Sequence, residues 1–300
     1  MKAMLVSAAI CEGRDKMKVN EIVKAIQQVD GVKLIDYSMD PDHNHSMLAL
    51  VGDTKSVIEG SKKMTLKAFE LIDMRNNDGV HPRLGTMDAV PFIPVGETTM
   101  SEAVAAAHEF GKWVGEQNVP VWYYGEADRR PKVIGAEYEI HQIAKGGYEN
   151  LPQAVKSEEH PPDEGPREFN AKTGAATVGA RGYLVSFNFN LRTTDLSIAK
   201  KIAKTIRQRS GGLRNVMAIG VPLESKGQVQ VSTMTDRCVD SPIPLVFELI
   251  QKLAEQHGVS VCETEIAGAI PLSIVEDVFK YSLKAHNFLP NQIVEMGLID

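Results

Sequence analysis

The pattern of apolar residues along the first half of the chain switches between short runs and positions that recur every three or four residues. Residues 16–29 keep the apolar spacing of one helix face, whereas 3–10 is a short apolar run of strand length. The same criteria applied onward predict a complete order for this half: strand 3–10, helix 16–29, strands 32–37 and 46–51, helix 54–72, strand 87–93, helix 101–116 and strand 119–124.

The second half repeats that order after a polar stretch rich in proline and glycine at about 157–174. Its pattern predicts strand 183–190, helix 196–208, strands 216–223 and 228–234, helix 242–257 and strand 259–264. The order βαββαβ is typical of a ferredoxin-like layer, in which helices cover one face of a sheet. We predict an α+β protein of two such subdomains, residues 1–178 and 179–300, packed with a cleft between them.

Composition and charge narrow the classes of function. The 300 residues are 43% hydrophobic and carry a formal net charge of −6, which opposes attraction to a nucleic-acid backbone. No run of about 18 apolar residues predicts a membrane span, and the polar residues 11–14 interrupt the N-terminal run too early for a signal peptide. Three distant cysteines, Cys11, Cys238 and Cys262, fit a reducing compartment. We expect a cytoplasmic protein without nucleic-acid or membrane partners.

One segment, residues 77–88, combines turn formers with a histidine and an arginine. Pro82 restricts the backbone of His81, so the imidazole is presented from a stiffened turn. A histidine whose pKa is near the operating pH can accept a proton from a weakly nucleophilic amine and return it to a leaving group. From this segment alone, a histidine that merely hydrogen-bonds within a turn is the favoured interpretation.

The residues after this histidine form a long and specific pattern. His81-Pro82-Arg83-Leu84-Gly85, Asp88 and 90–94 together resemble the H-P-R-x-G-x-x-D-V-x-P-F-I-P segment of the glutamate formiminotransferase family. Further segments resemble that family in the same order along nearly the whole chain: 42–44, 51–52, 71–74, 124–127, 179–181, 187–188, 230–233, Gly268 and 271–272.

The resemblance implies a folate-dependent one-carbon transferase. Members of that family move a formimino group from N-formiminoglutamate to N5 of tetrahydrofolate, giving 5-formiminotetrahydrofolate and glutamate. Carried over to this chain, His81 is the catalytic proton acceptor. The implied substrate- and folate-binding residues are Asn44, Arg83, Asp88 and a loop of ten residues: Gly165, Pro166, Arg167, Glu168, Phe169, Asn170, Ala171, Lys172, Thr173 and Gly174.

Physical chemistry supports part of that loop assignment. Arg167 and Lys172 could pair with folate carboxylates, and Phe169 could lie against a pterin or benzoyl ring. A solvated interdomain linker would have a similar composition. The resemblance further implies small-molecule substrates, tetrahydrofolate as co-substrate, no metal, a homodimer, and a cyclodeaminase on a separate polypeptide, because no residues remain for one here.

Three departures from the family pattern leave other functions open. Residues 8–14 lack the family's Pro-Asn, His45 stands where arginine is common, and Val80 stands where glutamate is common. A diverged relative could use another formimino or formyl donor, or bind folate without catalysis. Alternating histidines and carboxylates at Asp40 to His45 suggest a metal-dependent hydrolase as a less favoured hypothesis.

Two further segments have ordinary explanations. The basic residues between 200 and 209 lie on the polar side of a predicted amphipathic helix, so they predict a solvated face rather than a polyanion site. Residues 174–182 are glycine-rich but lack the spaced G-x-G-x-x-G that a dinucleotide requires. We therefore expect no nicotinamide or flavin cofactor.

Overall fold

The computed structural model describes residues 2–41, 43–78, 83–130, 146–235, 238, 240–267 and 269–298. The chain divides into two compact units, Met1–Arg181 and Gly182–Asp300. Each unit has one β-sheet and its own hydrophobic core. The predicted α+β class with two subdomains is confirmed.

Unit 1 contains a six-stranded sheet in the order β2-β3-β1-β4-β6-β5. Strands β2, β3, β1 and β4 pair antiparallel, whereas β6 pairs parallel with both β4 and β5. Its elements are β1 (Lys2–Ile10), α1 (Lys16–Gln27), β2 (Val32–Asp40), β3 (His45–Gly52), α2 (Thr54–Leu71), a 3-10 turn (Met74–Asn76), β4 (Met87–Gly96), α3 (Met100–Glu116), β5 (Val121–Gly125), α4 (Gly147–Ala154) and β6 (Ala176–Ala180).

The first three helices of unit 1 begin where a polar side chain can satisfy the free amides of the first turn. Asp15 accepts hydrogen bonds from the backbone at the start of α1, and Asp53 does the same for α2. Thr99 and Glu102 form a reciprocal capping box at the start of α3. The apolar faces of these helices pack on the sheet, with fully buried Ile22, Met64, Phe92, Phe110 and Tyr123 among the large side chains.

The sequence pattern did not predict β6 or α4. Strand β6 consists of small, buried residues without alternation, because it lies between two parallel neighbours. Its Gly179 leaves room for the ring of Tyr124, since a Cβ there would meet the Tyr124 Cζ at 2.5 Å. On the opposite face of β5 from Tyr123, Trp122 and Tyr124 pack with Leu151 of α4 in a second, smaller core.

Unit 2 contains a four-stranded antiparallel sheet in the order β10-β7-β9-β8. Its elements are β7 (Val185–Leu191), α5 (Leu196–Ile206), β8 (Val216–Leu223), β9 (Gln228–Thr235), α6 (Ile243–Gln256), β10 (Val261–Ala267) and α7 (Leu272–Leu283). Alternate residues of β7, such as Phe187 and Phe189, pack with Ile202 and Ile250 of the helices. Helix α7 was not predicted, and of its side chains Ile274 is buried. Among the described residues, no helix is long and apolar enough to cross a membrane.

Candidate functional site

Polar side chains converge at one end of the unit 1 sheet, where β1 ends and its two neighbours begin. Cys11 follows β1 directly, His45 is the first residue of β3, and Asp88 is the second residue of β4. A bulge lies at Asp88, because Ala9 pairs with Ala89 while Ile10 pairs with Met87. Bulges re-aim side chains that strict alternation would direct elsewhere. Cys11, His45 and Asp88, here called the Cys11 cluster, are thus brought together from three adjacent strands.

The Cys11 cluster is buried and tightly spaced. The Cys11 Sγ lies 3.3 Å from the Nε2 of His45, and the Asp88 Oδ2 lies 3.5 Å from the same nitrogen. The other ring nitrogen of His45, Nδ1, is 3.0 Å from the carbonyl oxygen of His43. The second carboxylate oxygen of Asp88 accepts a hydrogen bond of 2.7 Å from the amide of Leu84. Backbone groups therefore orient both the imidazole of His45 and the carboxylate of Asp88.

Burial and charge shift the acid–base properties of these groups. Burial raises the pKa of the Cys11 thiol well above its usual value, and the neighbouring Asp88 carboxylate adds to that shift. Burial opposes protonation of His45, but hydrogen bonds to Asp88 and to the His43 carbonyl outweigh it and raise the pKa of the imidazole. Cys11 is consequently a poor nucleophile, because the reactive form of a cysteine is the thiolate.

Asn44 holds the turn before β3 in place. Its backbone has a φ of +52°, a region that asparagine adopts more readily than most residues. Its side-chain oxygen accepts a 2.9 Å hydrogen bond from the Gly13 amide, and its side-chain nitrogen donates to the Asp78 carbonyl at 2.8 Å. Gly13 has no space for a side chain, since a Cβ would meet the Asp40 carbonyl oxygen at 2.2 Å. Asn44 thus connects residues 11–14 with the end of segment 77–78.

Arg83 lies on the other side of the same region. Its Nη2 donates to the Asn77 carbonyl at 2.8 Å, and its Nη1 forms a 2.8 Å ion pair with Glu149 of α4. Its guanidinium also lies over the ring of Tyr148, 5.3 Å from the centroid. Although burial opposes ionisation of Glu149, the hydrogen bond from Arg83 helps to lower the pKa of that carboxyl. The guanidinium is therefore held in place by α4.

Segment 83–86 is joined by the backbone to the predicted binding loop, residues 165–174. Gly85 and Gly174 form a β-bridge, and the Thr86 amide donates to the Thr173 carbonyl at 2.8 Å. The hydroxyl group of Tyr148 donates a 2.5 Å hydrogen bond to the Ala171 carbonyl. The structure thus brings the end of the loop beside Arg83, and α4, which the sequence pattern missed, lies against both.

The side chains of the binding loop have several different environments. Phe169 packs edge-on against Tyr148 with centroids 5.3 Å apart, and the Asn170 side chain accepts hydrogen bonds from the amides of Lys172 and Thr173. Lys172 reaches the Glu70 carbonyl at 3.4 Å. Arg167 instead donates to the Ser157 carbonyl and pairs with Glu158, away from these contacts. Gly165 has a φ of +80° and packs against the Val119 carbonyl.

A cavity of about 110 Å³ opens beside Asn44 and Asn77. Its lining is mainly polar and comes from the start of unit 1, the end of α2 and the following turn: Glu12, Lys18, Asn44, Leu71, Ile72, Asp73, Asn76 and Asn77. Asn77 donates to the Cys11 carbonyl, but its side-chain oxygen is buried and accepts no hydrogen bond from any residue that the structure describes. A polar cavity with an unsatisfied buried acceptor is suited to a polar ligand or water.

The predicted general base, His81, lies outside the described residues, as do Gly79, Val80 and Pro82. The residues on either side of that segment, Asp78 and Arg83, both contact the groups described above. The two histidines of the turn at residues 40–45, which the sequence suggested as a metal site, lie in different environments. His43 pairs with Asp40 at 2.7 Å on the surface, whereas His45 is buried in the Cys11 cluster, and Asp42 lies outside the described residues.

Each of the two units matches a known family model. Residues 4–181 match the model of the formiminotransferase domain, N-terminal subdomain, and residues 186–296 match that of the formiminotransferase domain. The chain belongs to the formiminotransferase family. The resemblance inferred from the H-P-R segment is confirmed, and both units carry family sequence.

Three relatives illustrate how much of the chain is similar in sequence to named proteins. The chain is 38% identical to glutamate formimidoyltransferase of Thermoplasma acidophilum, with 95% of this chain and 93% of the relative covered. It is 34% identical to glutamate formimidoyltransferase of Streptococcus pyogenes, with 96% of each covered. It is 36% identical to the formimidoyltransferase-cyclodeaminase of Rattus norvegicus, with 89% of this chain and 50% of that protein covered.

Several residues of the candidate site were not predicted from the sequence. Asn77, Tyr148 and Glu149 were not selected, although they connect Arg83 with the Cys11 cluster and the binding loop. A signal was available for Asn77, which opens the turn-rich segment before His81. Tyr148 and Glu149 could not be predicted, because Pro152 and two glycines are typical of a loop, and the helix that carries these residues was therefore not recognised in the sequence.

Proposed function

We propose that this formiminotransferase is a glutamate formimidoyltransferase that moves a formimino group from N-formiminoglutamate to N5 of tetrahydrofolate. The observation that carries the proposal is identity to glutamate formimidoyltransferases over almost the full length of both chains. The local geometry supports it, because Asn44 and Arg83 donate to the adjacent carbonyls of Asp78 and Asn77. Asp88 accepts a hydrogen bond from the Leu84 amide, and the next residue, Gly85, forms a β-bridge with Gly174 of the binding loop.

The transfer requires proton movement between two nitrogens. N5 loses a proton as it attacks the amidine carbon, and the departing glutamate nitrogen gains one. His81 is proposed to serve both steps, since one group with a pKa near neutrality can act as base and then as acid. Described contacts fix the backbone on both sides of it: Asn44 donates to the Asp78 carbonyl, and the Arg83 carbonyl accepts a 2.6 Å hydrogen bond from the amide of Tyr148.

Substrate recognition is assigned to groups with complementary chemistry. The folate ring is proposed to stack near Phe169, whose ring is positioned by Tyr148. Lys172, on the same loop, is proposed to meet a carboxylate of folate or of the donor. Arg167 is also part of this proposal, although its present partners are the Ser157 carbonyl and Glu158, which a ligand carboxylate would have to displace.

The first prediction is that the chain binds reduced folate through the binding loop. Calorimetry with tetrahydrofolate under anaerobic conditions is expected to give saturable binding, and Phe169→Ala is expected to weaken it by about 5- to 150-fold, since stacking on an aromatic ring contributes about 1–3 kcal/mol. Phe279→Ala, which removes a partly exposed ring of unit 2, is the matched control and should leave affinity unchanged. Absence of binding at millimolar folate would overturn the proposal.

The second prediction is that the transfer needs no metal. Both proton movements are assigned to an imidazole, so no Lewis acid is required to polarise the amidine. Dialysis against a strong chelator is expected to leave kcat within about twofold of its starting value. A loss of turnover that added Zn²⁺ or Co²⁺ restores would contradict this prediction.

A further inference from the structure

We infer that Cys11, His45 and Asp88 form a binding site for Zn²⁺ in unit 1. Thiolate, imidazole and carboxylate are the three kinds of side chain that bind zinc in proteins, and each occurs once in the cluster. The three donor atoms lie within 4.8 Å of one another and belong to buried residues. The site shares Asp88 with the predicted substrate-binding residues, and its test measures metal binding rather than transferase activity.

The spacing of the donor atoms fits one small cation. With Zn–S near 2.3 Å and Zn–N and Zn–O near 2.0–2.1 Å, the ligand atoms of a tetrahedron lie about 3.5 Å apart for sulfur and nitrogen and about 3.3–3.4 Å apart for nitrogen and oxygen. The measured separations are 3.3 Å from the Cys11 Sγ to the His45 Nε2 and 3.5 Å from that nitrogen to the Asp88 Oδ2. Each differs from its tetrahedral value by about 0.2 Å, so a shared cation needs only small movements along these two edges.

One nitrogen of His45 lies close to both other side chains of the cluster. A ring nitrogen of histidine offers a single in-plane direction, either one N–H or one lone pair. The Nε2 of His45 lies 3.3 Å from the Cys11 Sγ and 3.5 Å from the Asp88 Oδ2, so this one direction is shared between two partners. A cation between the three atoms would satisfy both contacts at once.

Groups around the cluster orient the ligands as the outer shell of a metal site does. The hydrogen bond between the His45 Nδ1 and the His43 carbonyl places a proton on Nδ1, so a neutral His45 would present its Nε2 lone pair to a cation in the cluster. The Leu84 amide holds one oxygen of Asp88 and leaves the other, Oδ2, toward His45. The amide of Cys11 donates to the Thr86 carbonyl, which fixes the thiol-bearing backbone.

The charges of an occupied site sum to zero. A thiolate and a carboxylate each carry one negative charge, the imidazole ligand is neutral, and together they balance the two positive charges of Zn²⁺, while the thiol proton is released to solvent. An occupied site therefore adds no net charge to the buried sheet end.

The expected consequence is stabilisation of unit 1 rather than catalysis. A cation held by residues of three adjacent strands stabilises the folded sheet end by binding it and not the unfolded chain. Three protein ligands leave one tetrahedral position for water. The surface pair Asp40 and His43 takes no part in this site, which distinguishes it from the turn considered in the sequence analysis.

The test uses the reduced full-length chain, stripped with a chelator and titrated with Zn²⁺ or Co²⁺. We expect one equivalent to bind, Co²⁺ to give tetrahedral d–d bands with a thiolate charge-transfer band, and saturating Zn²⁺ to raise the Tm by about 5 °C. Cys11→Ser and Asp88→Asn should each weaken Zn²⁺ binding by more than about 100-fold, because even outer-shell changes cost about 10- to 100-fold.

Two control variants test whether Zn²⁺ binds to the Cys11 cluster and not to other thiols or histidines. Cys262→Ser removes a thiol of unit 2, and His43→Gln removes the surface imidazole while keeping the backbone carbonyl that orients His45. Both variants should bind Zn²⁺ like the wild type, and circular dichroism should show that all four variants are folded. The inference is overturned if the wild type binds no Zn²⁺ at high micromolar concentration. It is also overturned if His43→Gln loses binding while folded Cys11→Ser and Asp88→Asn retain it.

Discussion

Replacing His81 by alanine is expected to lower kcat by about 10²- to 10⁴-fold and to change the KM for folate little. That span is typical of the loss of a general acid or base. The reason is chemical: the attacking and leaving groups are both nitrogens, and each must exchange a proton near neutral pH. The measurement is steady-state kinetics with N-formiminoglutamate and tetrahydrofolate, together with folate affinity by calorimetry.

His286→Ala, which removes an exposed imidazole of unit 2, is the matched control and should keep wild-type kinetics. The His81 variant must also retain wild-type Tm, so that a lower rate is not a folding effect. If His81→Ala keeps the wild-type kcat and only raises KM, then His81 is a binding or structural group, and the base lies elsewhere.

Gly85→Ala is expected to lower the free energy of unfolding of unit 1 by about 2–4 kcal/mol and to weaken folate binding at least tenfold. A Cβ at Gly85 would meet the Ala175 carbonyl oxygen at 2.1 Å and the Thr173 carbonyl oxygen at 2.5 Å. These are backbone atoms at the end of the binding loop, so they cannot move aside as a flexible side chain can. The substitution therefore separates the loop from the segment that carries Arg83.

Urea unfolding followed by tryptophan fluorescence measures this effect, because both tryptophans, Trp113 and Trp122, belong to unit 1. Gly211→Ala is the matched control. Gly211 lies in unit 2 with a φ of +88°, and a Cβ there would meet no atom within 4 Å, so alanine should cost about 1–2 kcal/mol of backbone strain in that unit and leave both the fluorescence transition of unit 1 and the folate affinity unchanged. Equal folate affinities for Gly85→Ala and the wild type would show that the bridge does not support the site.

Most of the fold could be predicted from apolar periodicity because the helices and antiparallel strands each bury one face. Helix α2 was expected at 54–72 and lies at Thr54–Leu71, where Asp53 supplies the cap. The elements that were not predicted have features that apolar periodicity does not detect. Strand β6 has no alternation because it is buried on both faces, and its glycine suggested a loop rather than a strand packed under Tyr124.

The site was harder to predict than the fold, because its geometry depends on neighbours that are distant in sequence. The resemblance selected Asn44, Arg83 and Asp88, and the structure connects these residues within one region. The Cys11 cluster could not be predicted, since it requires the strand order β3-β1-β4 and a bulge at Asp88. The departure at His45 was visible in the sequence, but its contacts with Cys11 and Asp88 were not.

The most direct test of the central proposal is a turnover assay of the purified chain with N-formiminoglutamate and tetrahydrofolate, in which glutamate and 5-formiminotetrahydrofolate are both quantified. The proposal predicts formation of the two products in equal amounts over many turnovers, dependent on both substrates. Tight folate binding without any glutamate release, or release of glutamate that does not require tetrahydrofolate, would contradict it.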